Sequence, residues 1–115
     1  MTVPQSRALR YIGRHPGTDL SDVAAFLGMT MPSASALVTR LERAGQIVRS
    51  TDPAERRRLR LELTPDGAAV VERILGETRT WLATELRRLS ADERRRLSDG
   101  VAVLAAIGEG AGSRR

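Results

Sequence analysis

A chain of 115 residues with 41% apolar side chains suits one small domain, or a domain with helical arms, and is too apolar for disorder throughout. It has no cysteine, which excludes disulfides, thiol nucleophiles, thiol redox sensing and thiolate zinc sites together. All 19 basic residues are arginine, and the first 64 residues carry +4 of the net +5, a bias that permits an anionic partner such as nucleic acid without demonstrating one.

Thr2, Val3 and Pro4 form a helix start, and the first helix runs to Arg14 with Ala8, Leu9, Ile12 and Tyr11 on its apolar face. Gly13, His15, Pro16 and Gly17 end it. Thr18 and Asp19 can cap a short helix from Leu20 to Leu27, with Asp22, three residues after Asp19, as a weak capping-box partner and Gly28 as the stop. A third helix begins near Pro32 and ends at Gly45. At ~100° per residue, Ala34, Leu37, Val38, Leu41 and Ala44 share its inner face. Its outer face carries Ser35, Ala36, Thr39 and Arg43, flanked by Ser33 and Arg40. Small side chains let a helix backbone approach a DNA major groove, and a helix N-terminus favours a nearby phosphate.

Gln46 to Ser50 is a short extended segment. Leu59, Leu61 and Leu63 alternate with Arg58, Arg60 and Glu62, the period of a half-buried strand. Asp52-Pro53 marks the turn between them, with Arg56, Arg57 and Arg58 on its far limb. Taken separately, the helix pair reads equally as a helical hairpin in a core, and the hairpin as a solvated loop. In succession they describe a winged helix-turn-helix.

Thr64 and Pro65 then start a long helix over 65–89, with Val71, Leu75, Leu82, Leu86 and Leu89 as its stripe. Ser90 and Glu93 form a capping box for a last helix to about Ile107, striped by Leu97, Val101 and Leu104. Residues 108–115 read as a frayed tail. The fold class is mainly α with a small β-hairpin wing (α+β). The division expected is a DNA-binding winged helix-turn-helix over 1–64, dimerising helices over 65–107 and the tail. Two long amphipathic helices cannot cover their own stripes, which calls for a partner, most simply a second copy of the chain. Arg87, Arg88, Arg94, Arg95 and Arg96, around the turn between these helices, read as structural or solubility charges.

Thr2-Val-Pro-Gln5-Ser-Arg-Ala-Leu9, Ser33-Ala-Ser35-Ala-Leu37-Val-Thr-Arg40-Leu41 and Asp52-Pro-Ala-Glu55-Arg56-Arg57, followed by Leu63-Thr64-Pro-Asp-Gly67, are similar to the motifs of the MarR family of bacterial transcription regulators. The last pattern, Asp-x-x-Asp-x-Arg then Leu-Thr-x-x-Gly, is the specific one. The resemblance implies a homodimer on double-stranded DNA, with recognition helices in major grooves and wings in flanking minor grooves. It implies promoter occlusion, relieved by a small-molecule effector held between the DNA-binding lobe and the C-terminal helices.

By position, Arg57 resembles the wing arginine that enters the minor groove, and Asp52 and Glu55 the acids that shape its loop through ion pairs. Ser33, Ser35 and Thr39 resemble phosphate or base-edge contacts. With Pro32, Ala36, Arg40, Arg43 and Arg56 they complete the candidate DNA-binding set. Three departures stand out: Glu55 replaces Asp, Ala36 occupies a site often polar or basic, and the helix that usually precedes Thr2 is absent. The last departure makes a truncated regulator that pairs with a longer relative the alternative reading.

An enzyme finds no support: His15, the one histidine, sits in a turn, and no phosphate loop or metal-ligand spacing is present. No cofactor is implied. No run approaches the ~18 apolar residues of a membrane span, and no basic start precedes an apolar stretch, so a soluble cytoplasmic chain without membrane contact is expected.

Overall fold

A computed structural model of the chain describes residues 1–55 and 58–113. The elements are α1 (Val3–Arg14), α2 (Leu20–Leu27), α3 (Met31–Arg43), β1 (Ile47–Thr51), β2 (Leu59–Leu63), α4 (Pro65–Arg87) and α5 (Ala91–Ser113). They fall into two compact units, Met1–Gly76 and Glu77–Arg115. The sequence places its division after Thr64, whereas the first turns of α4 belong to the first unit.

Each helix of that unit starts on a side-chain cap. Thr2 and Gln5 exchange hydrogen bonds with each other's backbone N–H at the head of α1. Asp19 Oδ1 accepts from the Asp22 amide, and Thr30 Oγ1 from the Ser33 amide. Because Thr30 is the cap, α3 begins at Met31, one residue before the expected start at Pro32. Gly28 closes α2 in the left-handed conformation, φ 66°, which turns the chain sharply into α3. His15 hydrogen-bonds the Tyr11 carbonyl and stacks on the Tyr11 ring, a packing role.

The core is aliphatic: Leu9, Ile12, Val23, Val38, Leu41, Ile47 and Leu61 are buried among the three helices and the hairpin. Ala44, expected on this inner face, is exposed because α3 ends at Arg43 and Ala44 is its C-cap. The strands pair antiparallel, Ile47 opposite Leu63 and Arg49 opposite Leu61, and β1 runs one residue beyond the expected Ser50. On the other side of β2, the Leu61 amide donates to the Thr18 carbonyl at 2.8 Å and the Gly17 amide to the Leu61 carbonyl at 3.0 Å. The strand is thus held from both sides: at Leu61 by Gly17 and Thr18, and at the flanking Arg60 and Glu62 by Ser50 and Val48 of β1. Leu59 departs from the expected alternation, being 41% exposed. It pairs with Thr51 at the end of the ladder nearer the loop, where it lines an open groove with Leu20 and Met31.

The hairpin returns to the helices through one tight junction. The Thr64 amide donates to the Gln46 carbonyl, the Thr64 hydroxyl to the Gly45 carbonyl, and the Gly67 amide to Thr64 Oγ1. Gly67 is buried against Gln46, and a Cβ there would overlap the Gln46 carbonyl oxygen. The glycine of the Leu-Thr-x-x-Gly motif is therefore required by close backbone approach.

In the second unit, Ser90 and Glu93 form the expected capping box at the head of α5. The Ser90 amide, with its hydroxyl adding, holds the Glu93 carboxyl below its ordinary range. Arg94 donates to the Leu86 and Arg87 carbonyls, so this arginine caps the end of α4. Helix α5 continues to Ser113, past the expected end at Ile107. The glycines at 108, 110 and 112 weaken a helix by about 1 kcal/mol each relative to alanine without imposing a stop. Of the expected tail, residues 114 and 115 lie outside the described residues. Trp81, Leu82, Leu97, Val101, Leu104 and Ile107 are exposed.

Gly67→Ala is expected to lower the unfolding free energy by about 2 kcal/mol, the scale of a forced overlap in a packed site. Chemical denaturation reads this directly; an unchanged midpoint would mean that the junction opens freely.

Candidate nucleic-acid interface

The outward side of α3 presents Pro32, Ser33, Ala36, Arg40 and Arg43 as exposed residues, with Ser35 and Thr39 half-buried at its border. This is the face read from the sequence. Among the described residues, the side chains of Arg40 and Arg43 make no ion pair or hydrogen bond, so both charges are available to an anion. At the N-terminal end, the Thr30 hydroxyl donates to Ser33 Oγ at 3.0 Å while accepting from the Ser33 amide. The small residues Ser33, Ser35 and Ala36 leave the helix backbone open to close approach from outside.

Arg49 is the residue that sequence reasoning missed. It lies on β1 two residues after buried Ile47, so its side chain shares the inward strand face. Its Nη2 donates to Thr39 Oγ1 at 2.9 Å. Its Nε lies 3.3 Å from Glu42 Oε2, an ion pair by distance whose N–H is not aligned for a hydrogen bond. An arginine at an inward strand position, following a helix with Thr and Glu three residues apart, is the signal that could have revealed it.

The hairpin loop is organised by Asp52, which is only 6% exposed. Its Oδ1 accepts from the Ala54 amide at 2.9 Å, and its Oδ2 from Arg60 Nη2 at 2.9 Å. The Asp52 amide in turn donates to the Arg58 carbonyl, and the Arg58 amide to the Glu55 carbonyl. The Ala54 amide bond holds the Asp52 carboxyl below its ordinary range; partial desolvation opposes this and Arg60 adds to it.

The family resemblance gives Asp52 the role of shaping, through an ion pair, the loop that carries Arg57. Its charge partner among the described residues is Arg60, which lies across the ladder within reach because Ser50 pairs with Arg60. Glu55 contributes its carbonyl to the loop, and its side chain is exposed. Arg56 and Arg57 lie outside the described residues. Arg58, on the strand's solvent side, pairs through Nε with Asp19 Oδ2 at 3.0 Å, tying the hairpin to the cap of α2.

Two depressions adjoin these elements. An open groove of about 600 Å³ lies between Leu20, Met31, Arg58 and Leu59, beside the head of α3. A cleft of about 250 Å³ is lined by Arg10, Gly13, Arg14, Leu63, Val71 and Leu75. Among the described residues, no group of three His, Cys, Asp or Glu side chains is placed to hold a metal ion. Among them too, no helix is long and apolar enough to cross a membrane.

A family model described as the MarR family matches residues 1–58. The uncharacterised HTH-type transcriptional regulator YfiV of Bacillus subtilis is 26% identical over 104 residues, which is 90% of this chain and 65% of that protein. The HTH-type transcriptional repressor Rv2887 of Mycobacterium tuberculosis is 28% identical over 95 residues, 83% of this chain and 68% of that protein. The alignments to two further curated relatives take in 40% and 51% of their lengths, so the chain spans less than two thirds of several proteins it matches. Among solved structures, a mutant of Staphylococcus aureus MepR bound to an oligodeoxyribonucleotide superposes with a TM-score of 0.73 at 28% identity, covering 93% of this chain and 79% of that one.

The lowered pKa of Asp52 fixes a pH dependence. A carboxyl depressed by folding stabilises the loop above the ordinary aspartate range, and that contribution is lost as pH falls through the depressed value. Exchange of the Ala54 amide proton is therefore expected to be slow near neutral pH and to lose protection in acid, whereas Asp52→Asn should show little protection change over the same range. Equal pH profiles for the two proteins would contradict the role given to Asp52.

Proposed function

The chain belongs to the MarR family, and on that premise we propose that it is a sequence-specific regulator of transcription, a repressor that binds double-stranded DNA as a homodimer in the cytoplasm. The observation that carries this reading is the outward face of α3. It has small residues at the helix head and two arginines further along, Arg40 and Arg43, that are unpaired among the described residues, beside a hairpin braced internally by Asp52–Arg60 and tied to α2 by Arg58–Asp19. The DNA-bound MepR structure, similar to this chain in fold and sequence, supports placing that face against DNA.

On this reading residues 1–64 form the DNA-binding part. Ser33, Ser35 and Thr39, with Pro32 and Ala36 close to the groove, approach the base edges and phosphates. Arg40 and Arg43 neutralise phosphates, and each neutralised phosphate releases condensed counterions and steepens the salt dependence of binding. Arg57 enters the minor groove, with Arg56 on the phosphate side.

Residues 65–107 dimerise the chain. The exposed Trp81, Leu82, Leu97, Val101, Leu104 and Ile107 supply the apolar surface for that contact. The cleft bounded by Arg10, Leu63 and Leu75 is the place for an effector, because it joins α1 and β2 to the start of α4. An occupant there changes the hairpin's junction with α4, and with it how two recognition helices are spaced. The chain does no chemistry of its own.

Titration of duplex DNA at several salt concentrations is expected to give binding that strengthens steeply as salt is lowered. Arg57→Ala should weaken that binding and reduce preference for A·T-rich flanks, where the minor groove is narrow, without altering the melting temperature. No binding at low salt would overturn the proposal and favour a module that pairs only with another protein. Sedimentation over a concentration series is expected to show a dimer; a strict monomer at the highest concentration would remove the role given to residues 65–107.

A further inference from the structure

We propose that Arg49 is a positioning residue for sequence recognition: by occupying one lone pair of the Thr39 hydroxyl, it biases that hydroxyl to donate its hydrogen to an acceptor on a base edge. This rests on the reading of α3 as the helix that meets DNA.

A threonine hydroxyl has one hydrogen and two lone pairs, and can ordinarily turn to donate or to accept. A guanidinium can only donate. Since Arg49 Nη2 donates to Thr39 Oγ1 at 2.9 Å, the Thr39 hydrogen cannot point back at Arg49. The usual internal acceptor for a helical threonine is the carbonyl four residues earlier. Thr84 uses it, donating to the Thr80 carbonyl at 3.0 Å. Thr39 donates to no acceptor among the described residues. Its hydrogen is left for an outside partner, on the half-buried border of the face that carries Ala36, Arg40 and Arg43.

Glu42 completes the device. Its carboxylate sits 3.3 Å from Arg49 Nε and offsets the guanidinium charge within the protein. The Arg49 side chain is only 24% exposed, so it is poorly placed to neutralise a phosphate itself. The chemistry of the contacted base follows. In the major groove, guanine O6 and N7, adenine N7 and thymine O4 accept, whereas cytosine N4 and adenine N6 donate. A hydroxyl with one lone pair already occupied favours the accepting edges, since a donating edge would have to use its one remaining lone pair and leave the hydrogen without an acceptor. Released from Arg49, it regains both lone pairs and turns freely to accept, and that preference weakens.

The test uses the full chain, selection of bound sequences from a random duplex pool, and Kd values for single-base variants of the selected site at several salt concentrations. Melting curves accompany each protein. The proteins are the wild type, Thr39→Val, Thr39→Ser, Arg49→Met, Arg49→Lys and the double variant Thr39→Val with Arg49→Met.

The wild type and Thr39→Ser should prefer an accepting edge at one base pair. Thr39→Val and Arg49→Met should each flatten that preference by about two- to tenfold, the scale of one net hydrogen bond. The double variant should flatten it no further, and the salt dependence should stay unchanged. Arg49→Lys keeps the charge beside Glu42 but loses the fork that reaches Thr39, so it too should flatten the preference; it carries the test if Arg49→Met does not fold.

Arg49 variants that bind all sequences more weakly with the wild-type preference intact would overturn the proposal in favour of a plain tie between β1 and α3. A salt slope reduced by about one would overturn it in favour of a phosphate contact. A wild type that enriches no sequence would overturn the DNA reading itself, and this proposal with it.

Discussion

The position of strand β2 decides the geometry of the whole first unit. Leu61 is fully buried, its N–H and C=O bond Thr18 and Gly17 on one side of the strand, and its neighbours Arg60 and Glu62 pair with Ser50 and Val48 of β1 on the other. At the end of the same strand, Thr64 and Gly67 bring the start of α4 against Gly45 and Gln46, at the exit of α3. The hairpin is therefore not a free appendage. It is fixed to the turn after α1, to the end of α3 and to the head of α4, and any shift at one of these places is felt at the others because a packed interior yields little. That is the physical reason a cleft beside Leu63 is a credible place from which to influence a DNA-binding face.

Arginine serves two distinct purposes in this unit. Arg49, Arg58 and Arg60 are engaged internally, by Glu42, Asp19 and Asp52. Arg49 ties the hairpin to α3, Arg58 ties it to the cap of α2, and Arg60 braces its loop from within. The planar fork of arginine suits this work, since one side chain can satisfy two acceptors in fixed directions. Among the described residues, Arg40 and Arg43 are left unpaired on the outer face of α3. A net charge alone does not separate these groups; pairing does. The three ion pairs are partly exposed, so their contribution lies in geometry more than in free energy.

Much of this was legible in the sequence. The caps at Thr2, Asp19 and Ser90, the stop at Gly28 and the inward face Ala34, Leu37, Val38, Leu41 follow from local rules about orphan amides and helical period. The outer face of α3 followed by subtraction. What escaped depends on contacts between distant segments. The partner of Asp52 is set by strand register, which pairs Ser50 with Arg60. The inward turn of Arg49 is a matter of strand parity, easily overlooked when the residue is charged. Leu59 has the right parity for burial, yet it lines an open groove beside Leu20 and Met31 and stays exposed. The need for glycine at position 67 is a close approach to Gln46 that no periodicity announces. At the other end, α5 runs past Ile107 because helix propensity is a weak local prior and nothing there compels an end.

The central claim is that the outer face of α3 and the hairpin beside it meet duplex DNA. Backbone amide shift mapping tests it most directly, by adding a mixed-sequence duplex at low salt to the isotope-labelled chain. The account predicts that the largest shifts fall on the amides of α3, Met31 to Arg43, and of the hairpin from Thr51 to Leu59, with smaller ones along α5. Shifts concentrated on α5, with α3 unmoved, would contradict it.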